Sequence, residues 1–431
     1  MSIVVLSAAG VANFAEGGGH FWVYMQYAHA LRQLGCDVYW LERFHRAQDR
    51  HVVDENLRLF FDRMRQFGLE GKAILYSVPA GSAAADAPCE YIGATETEAA
   101  SLFQRADLLF NFDYHMPVSL LARFRRTALV DIDPGLLQFW IDANQIELPA
   151  HDVYLTTGEN ISTRENPNEP TRSWRHVKRP VCLDLWPLAF DPECEAFTTV
   201  SSWWGGYGAG EWVTDGNGLI FENNKRVSFL QVANLPRMVA RPLELALFLG
   251  DGDPIDPPVV KSDWQSEPVS PEGITDYQSD AIDRRFLEAR GWRIRHSRDA
   301  AGTPWAFQQY VQRSRGEFSC AKPSCMRFQN AWISDRTLCY LASGKPAIVQ
   351  HTGPSGYLPE GDGLFRFKTI DEAADALRIV DDAYAHHGRA ARDLAAAHFD
   401  GPQVLADMLN AAFEELGHSS LRHLVVATTR S

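Results

Sequence analysis

Glu16-Gly-Gly-Gly-His20 stands between an apolar run, Val4-Val5-Leu6, and a helical pattern that runs from Phe21 to Leu34 and stops at Gly35. Three glycines there let the backbone turn tightly and let a ligand approach the helix N-terminus, where free N–H groups and the dipole favour anions. Gly18 and Gly19 are the nearest backbone to such a ligand. His20, at the mouth of the helix, titrates near neutrality and is a candidate general base. A plain tight turn and a capping histidine are the competing readings. The string is neither GxGxxG nor a Walker A loop, so a dinucleotide or ATP site loses its best support. Asp113, His115 and Asp133 stand at the ends of short apolar runs and are further base candidates. No GxSxG nucleophile elbow occurs.

A second block lies near the C-terminus. Ser334 is a good N-cap, and Asp335, Arg336 and Thr337 would form the first turn of a helix whose N-terminus suits a diphosphate. Around it an acidic chain concentrates basic residues: Lys225, Arg226, Arg313, Arg315, Lys322, Arg327 and Arg336. Each alone reads best as a solvated surface charge, and as a cluster they could neutralise a polyanion. Two Asp-x-Asp strings, Asp131-Ile-Asp133 and Asp251-Gly-Asp253, suggest a metal site only weakly: the first ends a strand pattern and the second sits in a Pro-rich loop.

These residues need a scaffold. At 431 residues the chain is too long for one core and suits two domains. Hydrophobic residues at 45% and charged residues at 22% are globular values. The net charge of −14 argues against general affinity for nucleic acid or anionic membrane, so a polyanion site must be local. The seven cysteines are odd in number, scattered and without a CxxC pair, which points to a reducing cytoplasm rather than disulfides or zinc. The opening apolar run reads as a buried strand, not a signal peptide, and no run is long enough to span a membrane.

The first strand, the glycine loop, the helix and Asp37 to Glu42 make a β-α-β opening. Further strands are expected at Leu108–Asp113, Thr127–Asp133 and Val153–Thr157, short apolar runs of the kind that end at a crevice. The polar, Pro-rich stretch from Asn166 to Pro192 marks a junction. Beyond it, strands are expected at Phe197–Val200, Val227–Leu230, Trp292–Arg295, Gly316–Ser319 and Ala347–Gln350. Helices are expected at Pro242–Leu249, Ser279–Arg290, Pro304–Arg315, Ser334–Ser343 and through Asp371–Leu416, with a surface loop over 251–275. Phe21, Trp22, Tyr114, Phe139 and Trp140 could line an apolar pocket or belong to the core.

Cys339-Tyr-Leu-Ala342-Ser-Gly344-Lys-Pro346-Ala-Ile348 resembles the second half of the donor helix of GT-B glycosyltransferases, which ends small-x-Gly-x-Pro. The opening Gly-Gly-Gly-His string and the pattern after it also resemble bacterial glycosyltransferase-like proteins of unassigned substrate. The resemblance implies an α/β GT-B fold, two Rossmann-like domains facing a central cleft, with residues 1–190 on the acceptor side and 191–395 binding a nucleotide sugar. Residues 396–431 would include a helix crossing back to the N-terminal domain. It implies sugar transfer from a nucleotide-diphosphate sugar to a small-molecule acceptor, with no metal and no other cofactor. A lysine soon after the first strands of the second domain, here Lys225, would neutralise the leaving diphosphate. The donor-binding set is then Gly18, Gly19, Lys225, Arg226, Lys322, Ser334, Asp335, Arg336 and Thr337, with His20, Asp113 and Asp133 as catalytic candidates. This chain departs from the pattern in two places. The ribose-binding glutamate would fall on Cys339, with Asp335 as substitute, and the loop glycines are replaced by Trp332 and Ile333. A nucleotide-sugar 2-epimerase of the same fold and a non-catalytic nucleotide-sugar binder are the alternatives.

Overall fold

The computed structural model describes residues 1–45, 50–78, 89–161, 173–205, 211–214, 218–249 and 280–414. Asp251-Gly-Asp253 and the proposed loop over 251–275 lie outside these. The described chain forms two α/β units, one of 1–133, 146–182 and the stretch from Phe399 onward, the other of Pro134–Gln145 and Leu183–His398. The second unit thus includes a segment, Pro134–Gln145, that precedes the chain's main passage into it.

In the first unit the strands are β1 (Ile3–Ala8), β2 (Asp37–Arg43), β3 (Ala73–Ser77), β4 (Glu90–Ile92), β5 (Leu108–Asn111), β6 (Thr127–Asp131), β7 (Val153–Thr156) and β8 (Trp174–His176). They form one sheet in the order β4-β3-β2-β1-β5-β6-β7-β8, parallel except for β4. β1, β3, β5 and β6 are almost wholly buried, as strands covered on both faces must be. The opening helix spans Gly18–Gln33, so its first turn absorbs the last glycines and His20. It ends before Gly35, whose φ of 80° a side chain would strain. The closing helix Gly401–Phe413 packs on this opening helix. A Cβ at Gly401 would stand 2.9 Å from Cys182 Sγ and 3.0 Å from Ala30 Cβ, so glycine permits the close approach.

The second unit repeats the scheme. β9 (Phe197–Ser202), β12 (Leu243–Phe248), β13 (Arg293–His296), β14 (Gly316–Ser319), β15 (Ala347–Gln350) and β16 (Leu364–Phe367) form an all-parallel sheet in the order β13-β12-β9-β14-β15-β16. A short antiparallel ribbon, β10 (Trp212–Thr214) with β11 (Ile220–Glu222), stands beside it. The core gathers Trp203, Phe229, Leu245, Trp292 and Phe318, with Phe318 stacked on Phe367 at 5.4 Å.

Two sequence expectations fail here. Pro242–Leu249 is not a helix: Leu243, Leu245 and Leu247 point inward at a period of two, and the segment is an inner strand between β9 and β13. The helix-favouring residues Leu, Ala and Glu yield to that tertiary setting. Conversely, Val227–Leu230 lies in a short helix, Lys225–Gln231, that buries Ser228, Phe229 and Leu230. The long helical stretch after Asp371 is three helices, Ile370–Asp382, Tyr384–His398 and Gly401–Phe413. Among the described residues no helix is long and apolar enough to cross a membrane.

Candidate functional site

In the second sheet β9 and β14 are neighbours from which the strand order runs outward in opposite directions, the switch point at which open parallel sheets leave a crevice beyond their carboxyl ends. The helix Asp335–Ala342 begins there. Ser334 caps it, its Oγ accepting from the Arg336 amide at 3.3 Å, and Asp335 lies in its first turn. Arg336 is nearly buried. Its Nε donates to Glu317 Oε1 on β14 at 2.7 Å and its Nη1 to the Val200 carbonyl on β9 at 2.8 Å, so one guanidinium ties the two switch-point strands together. Thr337 is buried and its hydroxyl has no hydrogen-bond partner among the described residues.

Lys225 starts the short helix after β11, and the residues before it fix it there. Asn224 Oδ1 accepts from the amides of Gly205 and Glu211, while Asn223 Oδ1 accepts from the Ser324 amide at 2.8 Å. Asn223 also donates to Glu211 Oε1, whose other oxygen accepts from Lys322 Nζ at 2.7 Å. The amine of Lys225 has no hydrogen-bond partner among the described residues. Burial first, then the charges of Arg336 and Lys322, lowers its pKa from 10.5 to about 7; Asp335 and Cys325 oppose the shift. Three cations therefore converge on ground where, among the described residues, Glu317, Glu211 and Asp335 answer them, and Lys225 is the one without a hydrogen-bonded carboxylate. An anion would be stabilised by what now makes its charge unfavourable.

The structure thus brings Lys225, Lys322, Ser334, Asp335, Arg336 and Thr337 together. It does not bring Arg226. That side chain points into the core, 1% exposed, donating from Nε and Nη2 to Asp283 at 2.6 and 3.0 Å, with Trp203 Nε1 on the same carboxylate. A guanidinium already held by two bonds in the interior cannot serve a ligand, so Arg226 is a structural residue. Arg315 likewise serves the backbone of Pro192 and Cys194 and the Tyr384 ring, and Arg327 lies over Phe221. Gly344, in the small-x-Gly-x-Pro string, has φ 72°, and a Cβ there would meet Leu188 Cδ1 at 2.3 Å: the signature is held by helix-stop geometry. Cys339 is buried and donates from Sγ to the Asp335 carbonyl.

In the first unit the candidates gather at the carboxyl edge of the sheet. His20 Nε2 lies 2.7 Å from the Ala9 carbonyl, just past β1, which assigns the ring proton to Nε2 and the lone pair to Nδ1. Asp113, after β5, accepts from the Tyr76 hydroxyl on Oδ2 and from the His115 amide on Oδ1, both at 2.9 Å. Asp133 is exposed, whereas Asp131 beside it is fully buried and spent on Tyr114, Thr156 and the Asp133 amide. Asp131 therefore shapes the edge and does not face a ligand. Gly18 and Gly19 are the first residues of the opening helix, which has no side-chain cap. Phe21 and Trp22 are core residues against Phe67, and Phe139 packs on Phe328 within the second unit.

Sequence reasoning missed Glu42. This carboxylate at the end of β2 is fully buried, accepting from the Ala12 amide at 2.7 Å and from Trp40 Nε1 at 2.9 Å. Burial raises its pKa to about 7, against those two bonds and with help from Asp113. The signal was legible: a Glu closing the apolar run Val38-Tyr-Trp-Leu41 has no solvent to face.

No family model matches the chain, and no curated protein matches it in sequence. Solved structures do. Sucrose-phosphate synthase from Thermosynechococcus elongatus is 12% identical with a TM-score of 0.52, over 96% of this chain and 99% of that one. Anabaena Alr3699/HepE in complex with UDP-glucose is 12% identical with a TM-score of 0.54, over 95% and 100%. S. aureus TarM, in a complex that includes UDP, is 8% identical with a TM-score of 0.52, over 96% and 100%. At such identities the likeness fixes the fold, and the fold is that of GT-B glycosyltransferases.

Proposed function

We propose that the protein is a glycosyltransferase of hexosyltransferase type, moving a sugar from a nucleotide-diphosphate sugar to a small-molecule acceptor without a metal ion. The observation that carries this reading is Lys225, a partly buried amine without a partner among the described residues, flanked by Arg336 and Lys322 beside the N-terminus of helix Asp335–Ala342. A leaving diphosphate gathers negative charge as the glycosidic bond breaks, and fixed cations with a helix dipole stabilise that charge where a metal otherwise would. The UDP-glucose and UDP complexes named for HepE and TarM support the same class of donor.

In this reading Lys225 carries the charge that matters most, Lys322 adds a second cation, and the buried Thr337 hydroxyl and the first-turn amides contact the phosphates. Arg336 acts mainly by holding β9 and β14 in register at the crevice. On the acceptor side His20 is the preferred base, because its proton is committed to Ala9; Asp113 has both oxygens engaged, and Asp133 is a solvated carboxylate. Purified protein melted against UDP, dTDP, GDP, ADP and their sugar conjugates, without metal, tests the assignment. A ligand that binds only the folded state must raise the melting temperature. A shift with one nucleoside diphosphate is expected, and none with any of them would overturn the donor site.

A further inference from the structure

Helix Asp335–Ala342 opens at the carboxyl ends of the second sheet. At the opposite end of that sheet the turn Gly361-Asp362-Gly363 leads into β16, with the Gly363 carbonyl accepting from the Ala347 amide at 2.9 Å. The turn lies against helix Tyr384–His398: a Cβ at Gly363 would stand 2.4 Å from the Ala391 amide nitrogen. One turn earlier on that helix are His386 and His387. His386 Nε2 is 2.9 Å from Asp362 Oδ1, and His387 Nδ1 is 3.9 Å from the same oxygen. The three ligand atoms lie within 4.8 Å of one another.

We propose that Asp362, His386 and His387 bind a divalent transition-metal ion of the zinc class, clasping the Gly361–Gly363 turn to the helix. Two imidazoles and one carboxylate form a borderline donor set, which selects zinc, cobalt, nickel or copper over magnesium and calcium. With bonds of about 2.0–2.1 Å, tetrahedral ligands stand roughly 3.4 Å apart, between the two separations measured to Asp362. His386 and Asp362 are exposed and can rotate the remaining few tenths of an ångström to an ångström; His387, 4% exposed, is the fixed point.

His387 is what separates this cluster from a surface ion pair. Its Nδ1 is buried without a hydrogen-bond partner among the described residues, an arrangement that costs stability unless something occupies it. Asp362 adopts φ 44°, a left-handed conformation that turns its carboxylate toward the helix. The single carboxylate leaves the ion a net positive charge and at least one position for water. Because the cluster sits at the far end of the sheet from Lys225 and Arg336, the ion is structural and is separate from the sugar-transfer chemistry.

The test uses the full chain, tag-free, dialysed against chelator and titrated with Zn²⁺ by calorimetry. One equivalent is expected to bind with micromolar or tighter affinity and to raise the melting temperature. His386→Ala and Asp362→Asn, both at exposed positions, are expected each to weaken binding roughly a hundredfold or more while folding normally. His51→Ala, an exposed histidine in the first unit, keeps wild-type affinity. Co²⁺ in place of Zn²⁺ is expected to give visible ligand-field bands without thiolate charge transfer. Absence of saturable Zn²⁺ binding overturns the proposal. So does binding that survives both variants, or a thiolate spectrum, since the ion would then be held by cysteines.

Discussion

If Lys225 is the cation that answers the diphosphate, nucleotide binding must take up a proton. With a pKa of about 7 in the free protein, Lys225 is half charged at pH 7 and about one-tenth charged at pH 8. A diphosphate beside it restores the ordinary ammonium, so above pH 7 the ligand must first recruit a proton. The penalty grows by about 1.4 kcal/mol per pH unit, and the dissociation constant should rise about sixteenfold between pH 7 and pH 8.5. At pH 8, binding should take up about 0.9 proton, from the same titration curve. Among the described residues the titratable groups coupled to Lys225 are Arg336, Lys322, Asp335, Cys325 and Cys320. Glu317 holds Arg336 in its charged form against burial, and burial drives the Cys320 thiol far above this range. The assay is calorimetry with the tightest nucleoside diphosphate at pH 7.0, 7.5, 8.0 and 8.5, in buffers of different ionisation enthalpy. Lys225→Met removes both the slope and the proton uptake, and at pH 7 it weakens binding by about 1.5–3 kcal/mol, the worth of a charge-assisted contact. A wild-type constant flat within twofold from pH 7 to 8.5 would refute the reasoning. A slope retained in Lys225→Met would assign the proton to another group.

Arg226→Ala is expected to destabilise the fold by about 3–5 kcal/mol in urea melts, because it leaves the Asp283 carboxylate buried and unpaired. The protein that remains folded should bind nucleotide as the wild type does, and a selective loss of affinity would return Arg226 to the ligand site. Glu42 has a folded pKa of about 7 against 4.5 unfolded, so it favours folding in its protonated form. That contribution is complete below about pH 4.5 and is lost as pH rises through 7, a change of about 3 kcal/mol. Plotted against pH, the stability of wild type minus that of Glu42→Gln should fall by that amount between pH 5 and 8; parallel curves would show that Glu42 titrates normally. Chelator should leave nucleotide affinity unchanged, and a strict need for a divalent ion in binding or turnover would end the metal-free mechanism.

What the sequence revealed and what it concealed follow from the range of the forces involved. The Ser334 cap and the stop at Gly344 are local events, decided within one helical turn, and both were readable from residue type. The six-residue alternation of Leu243–Phe248 was also on the page, but its residues favour helix, and only pairing with β9 and β13 makes it a strand. Charge was the harder case. Lys225 and Arg226 are adjacent, equally basic and equally placed in the string, yet successive residues of a helix point about 100° apart. One faces the crevice beside Arg336 and the other meets Asp283, fifty-seven positions away in sequence. Neither side chain's partner could be inferred from its neighbours. The roles divide where the fold puts the compensating carboxylate: Arg226 receives a whole one and becomes structure, Arg336 receives Glu317 and becomes a brace, and Lys225 receives none among the described residues, which on the proposed reading leaves it for the ligand. The basic residue with least support from the protein is thus the one best able to recognise an anion, because its charge is the one the bound state still has to satisfy.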